Sequence, residues 1–394
     1  MNDLIHFSYN DKSSVLLIFF FNAVVFFFLL LVKGISENRA DSKWLALFVG
    51  LCALYICPFM LGYAGWYSIK SYREFLFFFP FQQLFLIGPV LFFYIQSLLN
   101  PDFEVSKKDY LHFIPAVLYL LYSLVIFITD KLILDDFYFY ADGRDRDLDF
   151  WYQMSGLISM LIYLFLGLKY YGNYRNIIEQ EVSFADEISF KWIERFMIAF
   201  GIILLLRVLF FILNPEWGEF GSKYWYYLCF SILFFYIAMS GYFVIVKTTT
   251  NLSFHQNLKR LPEINTYTVP RKSDELEADI VKEWKGKILM LFSDEKIYTH
   301  PNLTITHIAE MLETHRNLIS SVINQGFEMN FNDFVNEKRT EAVIQKLKQR
   351  EHTIKTLLSI ALDSGFNSKA TFNRAFKKHT GLTPRQYIAA NDLK

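Results

Sequence analysis

Apolar residues form long, nearly unbroken runs over the first part of the chain and short, periodic patches from about residue 275 onward. A helix needs about 20 mostly apolar residues to cross a bilayer core. Seven stretches reach that length: 13–32, 44–64, 75–99, 111–129, 151–169, 192–213 and 224–246. Short polar connections separate them, among them 33–43, 100–110 and 214–223. Trp44, Trp66, Trp151, Trp192, Trp217 and Trp225 stand at or near run ends, as in an interfacial aromatic belt. The first run is long for a cleavable signal and no small-residue cleavage site follows it, so it is expected to stay as a membrane helix.

Residues 247–274 are polar, contain Pro262 and Pro270, and show little periodicity, which predicts a flexible tether. Ser273 is placed to cap a following helix, in which Leu276, Ile280, Trp284, Ile288 and Leu291 recur at helical spacing. That stripe could pair two protomers into a homodimer; packing on the domain behind it is the favoured reading.

Two helix pairs follow. In 303–324, Ile305, Ile308 and Leu312 share a face, Thr304 is a candidate N-cap, and small Ala309 permits a close crossing. A turn at Glu313–Thr314 leads into a helix from about His315 that buries Ile319, Val322 and Ile323 and exposes Arg316, Asn317, Ser320 and Ser321. The arrangement recurs in 355–384. There Leu358 and Ile360 point inward, Ala361 sits at the crossing, Gly365 turns the chain, and Asn367 or Ser368 caps the next helix. Phe372 and Phe376 face the core, leaving Lys369, Ala370, Asn373, Arg374 and Lys377 exposed; Gly381 ends the helix and Thr383-Pro384 opens another. Two short helices crossing steeply, the second carrying small polar and basic groups outward, make a major-groove reader. A helix over 330–349 joins the two units and could set them about one DNA turn apart, roughly 34 Å.

Composition sharpens this division. The chain is 53% hydrophobic and 19% aromatic, with 43 Phe and 24 Tyr, more than a globular core needs. The net charge of zero hides a basic C-terminal part: from Lys285 onward about 16 Lys and Arg face 11 Asp and Glu, which suits a polyanion. If the C-terminus is cytoplasmic, inner segments carry thirteen Lys and Arg and outer ones seven, a bias that agrees with a cytoplasmic DNA-binding domain. Cys52, Cys57 and Cys229 lie within apolar runs and read as small buried hydrophobes.

The stretch 285–394 resembles the AraC/XylS-type DNA-binding domain, and 359–387 (SIALDSGFNSKATFNRAFKKHTGLTPRQY) resembles its second motif nearly throughout. The resemblance covers just over a quarter of the chain. It implies that Asn317, Ser320 and Ser321 read bases from the first recognition helix. Lys369, Ala370, Asn373 and Arg374 would read from the second, and Arg316, Lys377 and Lys378 would hold phosphates. Arg374 could instead pair with Asp363, and Ser320 and Ala370 could be present only for their size. The chain departs from the family at Glu313, where the first turn often has Gly. The family's usual soluble sugar-binding partner domain is replaced by the membrane bundle.

Within the apolar half, Arg207 is a charge that lipid does not tolerate alone. Gln82, Gln83 and Gln96 share a run broken by Pro80 and Pro89, and His112 and Pro115 open the next. A small-ligand pocket between helices stands beside a bland alternative, interhelical hydrogen bonds plus an arginine lifted to the interface; for the glutamines the bland one is favoured. Asp145, Asp147 and Asp149 alternate as in a calcium loop, but Phe150 and Gly156 stand where that loop needs Gly and Glu, so a solvated acidic loop is expected and no metal. No HExxH, P-loop, GxSxG or GxGxxG motif occurs in this half, and neither an enzyme nor a cofactor is expected.

The expectation is an all-α protein. It has a seven-helix transmembrane sensor (1–246), a linker (247–284) and a double helix-turn-helix domain (285–394). Its partners would be double-stranded DNA, membrane lipid and an unidentified small-molecule or envelope signal, at the inner membrane with the C-terminus cytoplasmic. The alternative is a transporter with a DNA-binding tail, against which stand the lack of an internal repeat and the scarcity of intramembrane charge. Proteolytic release past about residue 250 is a further route by which a regulator could act.

Overall fold

The computed structural model describes residues 9–100, 102–135, 138–139, 148–209, 223–250 and 276–392. Among them every regular element is helical, and extended backbone pairs only in an isolated antiparallel bridge between Val182 and Thr304. The chain divides into two compact units: Met1–Tyr171 with Lys191–His255, and Gly172–Phe190 with Gln256–Lys394. The second unit therefore includes a segment from the middle of the apolar half, which the sequence reading did not anticipate.

The first unit contains α1 (Asp11–Ser36), α2 (Ala40–Tyr63), α3 (Lys70–Phe78), α4 (Leu84–Leu99), α5 (Ile114–Phe127), most of α6 (Asp149–Glu181), α8 (Lys191–Arg207) and α9 (Tyr224–Thr250). Asn10 caps α1 by accepting the Ser13 amide at 2.9 Å. α1 and α2 form a tight hairpin in which the Ser42 hydroxyl donates to Leu30 O at 2.7 Å. A Cβ on Gly241 would meet Leu45 Cδ2 at 2.3 Å, so glycine there lets α9 lie directly on α2. Phe21, Phe28, Leu118, Leu121 and Leu124 are exposed on α1 and α5, a surface that suits lipid better than water.

Five helices among the described residues are long and apolar enough to cross a membrane: Asp11–Ser36, Ala40–Tyr63, Asp109–Ile133, Phe150–Glu181 and Tyr224–Val244. Two of the seven expected spans are not among these five. The run 75–99 is interrupted at residues 79–83, because Pro80 lacks the amide that would continue α3. What remains is the apolar Leu84–Leu99, short of the usual crossing length. The run 192–213 begins as α8, which ends at Arg207, and residues 210–222 lie outside the described ones, Trp217 with them. Also outside them are Asp145 and Asp147, the side chain of Asp149, and residues 251–275 with Ser273. Helix begins again at Ala278, inside the span assigned to the linker.

The second unit holds α7 (Ala185–Ile188), α10 (Ala278–Asp294), α11 (Ile305–Met311), α12 (Arg316–Gly326), α13 (Phe331–Lys348), α14 (Leu357–Leu362), α15 (Lys369–Thr380) and α16 (Pro384–Ala390). It has two cores. Ile288, Leu291 and Phe292 of α10 join Ile305, Ile308, Ile319, Val322 and Ile323 in the first, so the α10 stripe packs on its own domain. Ile360, Ala361, Phe366, Phe372 and Phe376 make the second. Helix α13 belongs to both, giving Phe331, Phe334 and Val335 to one and Val343 and Leu347 to the other. Each such side chain contributes about 1.5–3 kcal/mol on burial, so the two units are held on one shared rod of 18 residues, about 27 Å at 1.5 Å per residue.

Candidate nucleic-acid interface

Both helix-turn-helix turns are built the same way. In the first, Thr304 caps α11, Glu313 takes a φ of 50°, and the Thr314 amide returns to Ala309 O at 2.8 Å. In the second, Thr356 caps α14, Gly365 takes a φ of 93°, and the Phe366 amide returns to Ala361 O at 3.1 Å. Glu313 thus adopts the left-handed conformation that Gly365 takes in the second turn, at a cost that residues with a Cβ bear and glycine does not. Gly365 has a second reason to be glycine: a Cβ there would meet Tyr298 O at 2.2 Å.

The second recognition helix is α15, capped by Ser368, whose hydroxyl accepts the Thr371 amide at 3.2 Å, and closed by Gly381 at φ 77°. Lys369, Ala370, Asn373, Arg374, Lys377 and Lys378 are all exposed on it, with Thr371, Phe372 and Phe376 turned inward. Leu357 rather than Leu358 packs against the core, since Leu358 is 39% exposed. On α12, Arg316 and Asn317 are exposed. Ser320 and Ser321 are not: they are buried at 4% and 9% exposure. The expected outward position of these two serines is corrected accordingly.

Several of the exposed cations are engaged within the unit. Arg316 reaches Glu181 at 3.8 Å, Lys378 reaches Asp333 at 2.7 Å, and Arg374 pairs with Asp186. Burial and neighbouring Arg175 pull the Arg374 guanidinium below its ordinary value, with Glu179 opposing them; an arginine stays cationic nonetheless. Asp363, the alternative partner for Arg374, belongs to Lys355 at 2.9 Å, and that hydrogen bond raises the lysine and lowers the carboxylate from their ordinary values. Glu337, Glu341 and His379 bring possible ligand atoms within 4.8 Å of one another, but Glu341 is taken by Lys338 at 2.9 Å.

Arg339, which the sequence reading passed over, organises the centre of the unit. It is 1% exposed. Its Nε donates to Tyr298 O at 2.8 Å, and its Nη2 to His300 O at 2.8 Å and to the Ser183 hydroxyl at 3.0 Å. Nη1 donates to Ser183 O at 3.3 Å. Burial pushes the guanidinium down to about 9, with Glu187 opposing. Carbonyl groups, not a carboxylate, satisfy this buried cation. A signal was present: Phe331, Val335, Val343 and Leu347 mark one face at four-residue steps, and Arg339 stands in the middle of it.

In the first unit, Arg207 is 8% exposed and hydrogen-bonds Gln153, which in turn donates to Gln82 Oε1 at 2.8 Å. It lies beside Tyr55, Tyr226 and Tyr227, and Tyr226 also hydrogen-bonds it. Gln83 is separate from this group, donating to Pro80 O at 2.7 Å across the break between α3 and α4.

Residues 308–390 match the family described as a helix-turn-helix domain. An uncharacterized HTH-type transcriptional regulator of Staphylococcus aureus (strain COL) is 30% identical over 92 residues, 23% of this chain and 12% of that protein. The melibiose operon regulatory protein of Escherichia coli (strain K12) is 29% identical over 85 residues, 22% of this chain and 27% of that protein. The matches thus span well under a third of either relative, and no solved structure matches. Paired turns, shared rod and sequence likeness agree that the C-terminal unit carries a helix-turn-helix domain of the AraC type.

Proposed function

We propose that the chain is a membrane-bound transcription regulator that binds DNA sequence-specifically through α12 and α15. One observation carries this reading: two turns of matching geometry are mounted on one helix, with basic and small polar side chains outward on both recognition helices. Arg374, Asn373, Lys369 and Ala370 would meet base edges, since arginine and asparagine make the bidentate contacts that distinguish guanine and adenine. Asn317 would read from the first unit, and Arg316, Lys377 and Lys378 would hold phosphates that fix register. The apolar segments before residue 247 would form a multi-pass sensor in the inner membrane, with seven crossings if Leu84–Leu99 and α8 are completed by their neighbours. The C-terminal unit would then be cytoplasmic, on a tether within 247–277.

The signal would enter at Arg207 and Gln82. A buried guanidinium among Tyr55, Tyr226 and Tyr227 favours a ligand bearing a carboxylate or a similar anion. Such a ligand shifts an equilibrium only by binding one state of the bundle better than another.

The test is selection of 40-base-pair duplexes from a random pool by the full chain in lipid nanodiscs, with genome occupancy of the full chain mapped in parallel. Two short motifs about 10 base pairs apart are expected. Absence of enrichment would remove the DNA-binding assignment. A reporter that responds normally in an Arg207→Leu variant would remove the sensing site alone.

A further inference from the structure

The segment Gly172–Phe190 packs within the helix-turn-helix unit, and its charge is opposite to that of the unit. It carries Glu179, Glu181, Asp186 and Glu187 against the single basic residue Arg175. Val182, Ser183, Phe184 and Ile188 are 1–3% exposed, so the segment is embedded and not draped over the surface. Its hold is a set of hydrogen bonds: the Ser183 amide donates to Leu303 O at 3.0 Å, Asn332 Nδ2 donates to Val182 O at 3.2 Å, and Arg339 takes both the carbonyl and the hydroxyl of Ser183. From this anchor, Glu181 reaches Arg316 of the first recognition helix and Asp186 reaches Arg374 of the second. The anchor and the two carboxylates are contiguous in sequence, and the two arginines belong to different helix-turn-helix units.

We propose that residues 181–186 are an in-chain acidic mimic of DNA, occupying one arginine in each reading unit, so that DNA and this segment compete for Arg316 and Arg374. The inference rests on the DNA-binding reading above and adds its regulation. A carboxylate oxygen presents the same anionic acceptor to a guanidinium as a phosphate oxygen does. Arg316 and Arg374 keep 42% and 48% of their side-chain surface exposed while Glu181 and Asp186 keep 7% and 18%, so an incoming phosphate can reach each pair from the arginine side. Carboxylates held beside the reading face also repel the DNA backbone, a term that persists even where a pair opens. Because Glu181 ends α6 and Asp186 follows five residues later, a shift of that helix end would move both carboxylates together.

The test uses the full chain in nanodiscs, the duplex enriched from the random pool, and a fixed moderate salt. Glu181→Gln with Asp186→Asn keeps shape and removes both charges. The double variant should bind about three- to tenfold tighter than wild type, the gain expected when both arginines are released from their carboxylates. Equal or weaker binding by a variant with unchanged thermal unfolding would overturn the mimic while leaving DNA binding in place. Failure of both proteins to enrich any duplex would instead overturn the DNA-binding reading. A second measurement needs no variant: hydrogen exchange at residues 181–186 of the wild-type chain should accelerate at saturating duplex. Exchange there that stays unchanged while DNA is bound would overturn the competition.

Discussion

The two helix-turn-helix units solve one geometric problem with different residues. Each needs a left-handed residue four positions after a small alanine at the helix crossing: the first uses Glu313 and the second Gly365. The second cannot do otherwise, because its turn lies against Tyr298 O and Arg339 Nε, 2.2 Å and 2.9 Å from where a Cβ would be. The first turn is exposed at Glu313, so a side chain fits there at the cost of backbone strain alone. The reading helices differ as well. On α15 every expected contact residue faces outward, whereas on α12 the two serines are enclosed and only Arg316 and Asn317 remain outside. The second unit is therefore expected to supply most of the sequence discrimination and the first to serve mainly for register.

The strongest way to break that comparison is Gly365→Ala. A Cβ at φ 93° adds strain to a clash with backbone that has no room to move. A loss on the order of 3 kcal/mol is expected, read as a lower unfolding midpoint of the C-terminal unit. An unchanged midpoint would show that the turn can relax away from Tyr298. Next in size is Arg374→Ala against Arg316→Ala on the selected duplex. The former should cost about 1–3 kcal/mol and relax one base preference, the latter less and uniformly across sequences. Equal losses with no change in preference would place both arginines on phosphates and dissolve the asymmetry. Glu313→Gly should gain about 0.5–1 kcal/mol of stability by releasing the left-handed strain, measured by the same unfolding experiment; a loss would mean the Glu313 side chain has a structural role.

Local chemistry was legible in the sequence because it repeats. Thr304, Ser368 and Thr383 cap the helices they were expected to cap, and the apolar spacing of Ile305, Ile308, Phe372 and Phe376 located both cores. Periodicity also gave the place of the break near Pro80, but not its consequence, a helix of only 16 residues after it. What did not show was everything that depends on contact between distant positions. Nothing in residues 181–186 marks them as neighbours of α12 and α15, since carboxylates in a loop have no period and the partners lie more than 130 positions away. Arg339 was hidden for a related reason: the carbonyls that satisfy it come from backbone at residues 183 and 298–301, which carries no sequence signature. Ser320 and Ser321 misled because small polar residues suit either an exposed reading face or a tight crossing.

That ambiguity sets the finest test of the comparison. Ser320 and Ser321 sit beside Ile319 and Val322 in α12, and the Ser320 hydroxyl accepts from Asn324 Nδ2 at 3.5 Å, a contact inside the helix. Replacing each by Ala removes a hydroxyl that DNA cannot approach while the helix keeps this orientation, so operator affinity should change by under about 0.5 kcal/mol, the range of substitutions outside a contact. Ala370→Ser on α15 is the matching control, since it adds a hydroxyl where the helix is open. If the first unit reads through its serines after all, Ser321→Ala would lower affinity by at least one hydrogen bond, about 1 kcal/mol, and would do so at a single base position. That result would mean α12 turns on binding, and the two units would then share the reading equally.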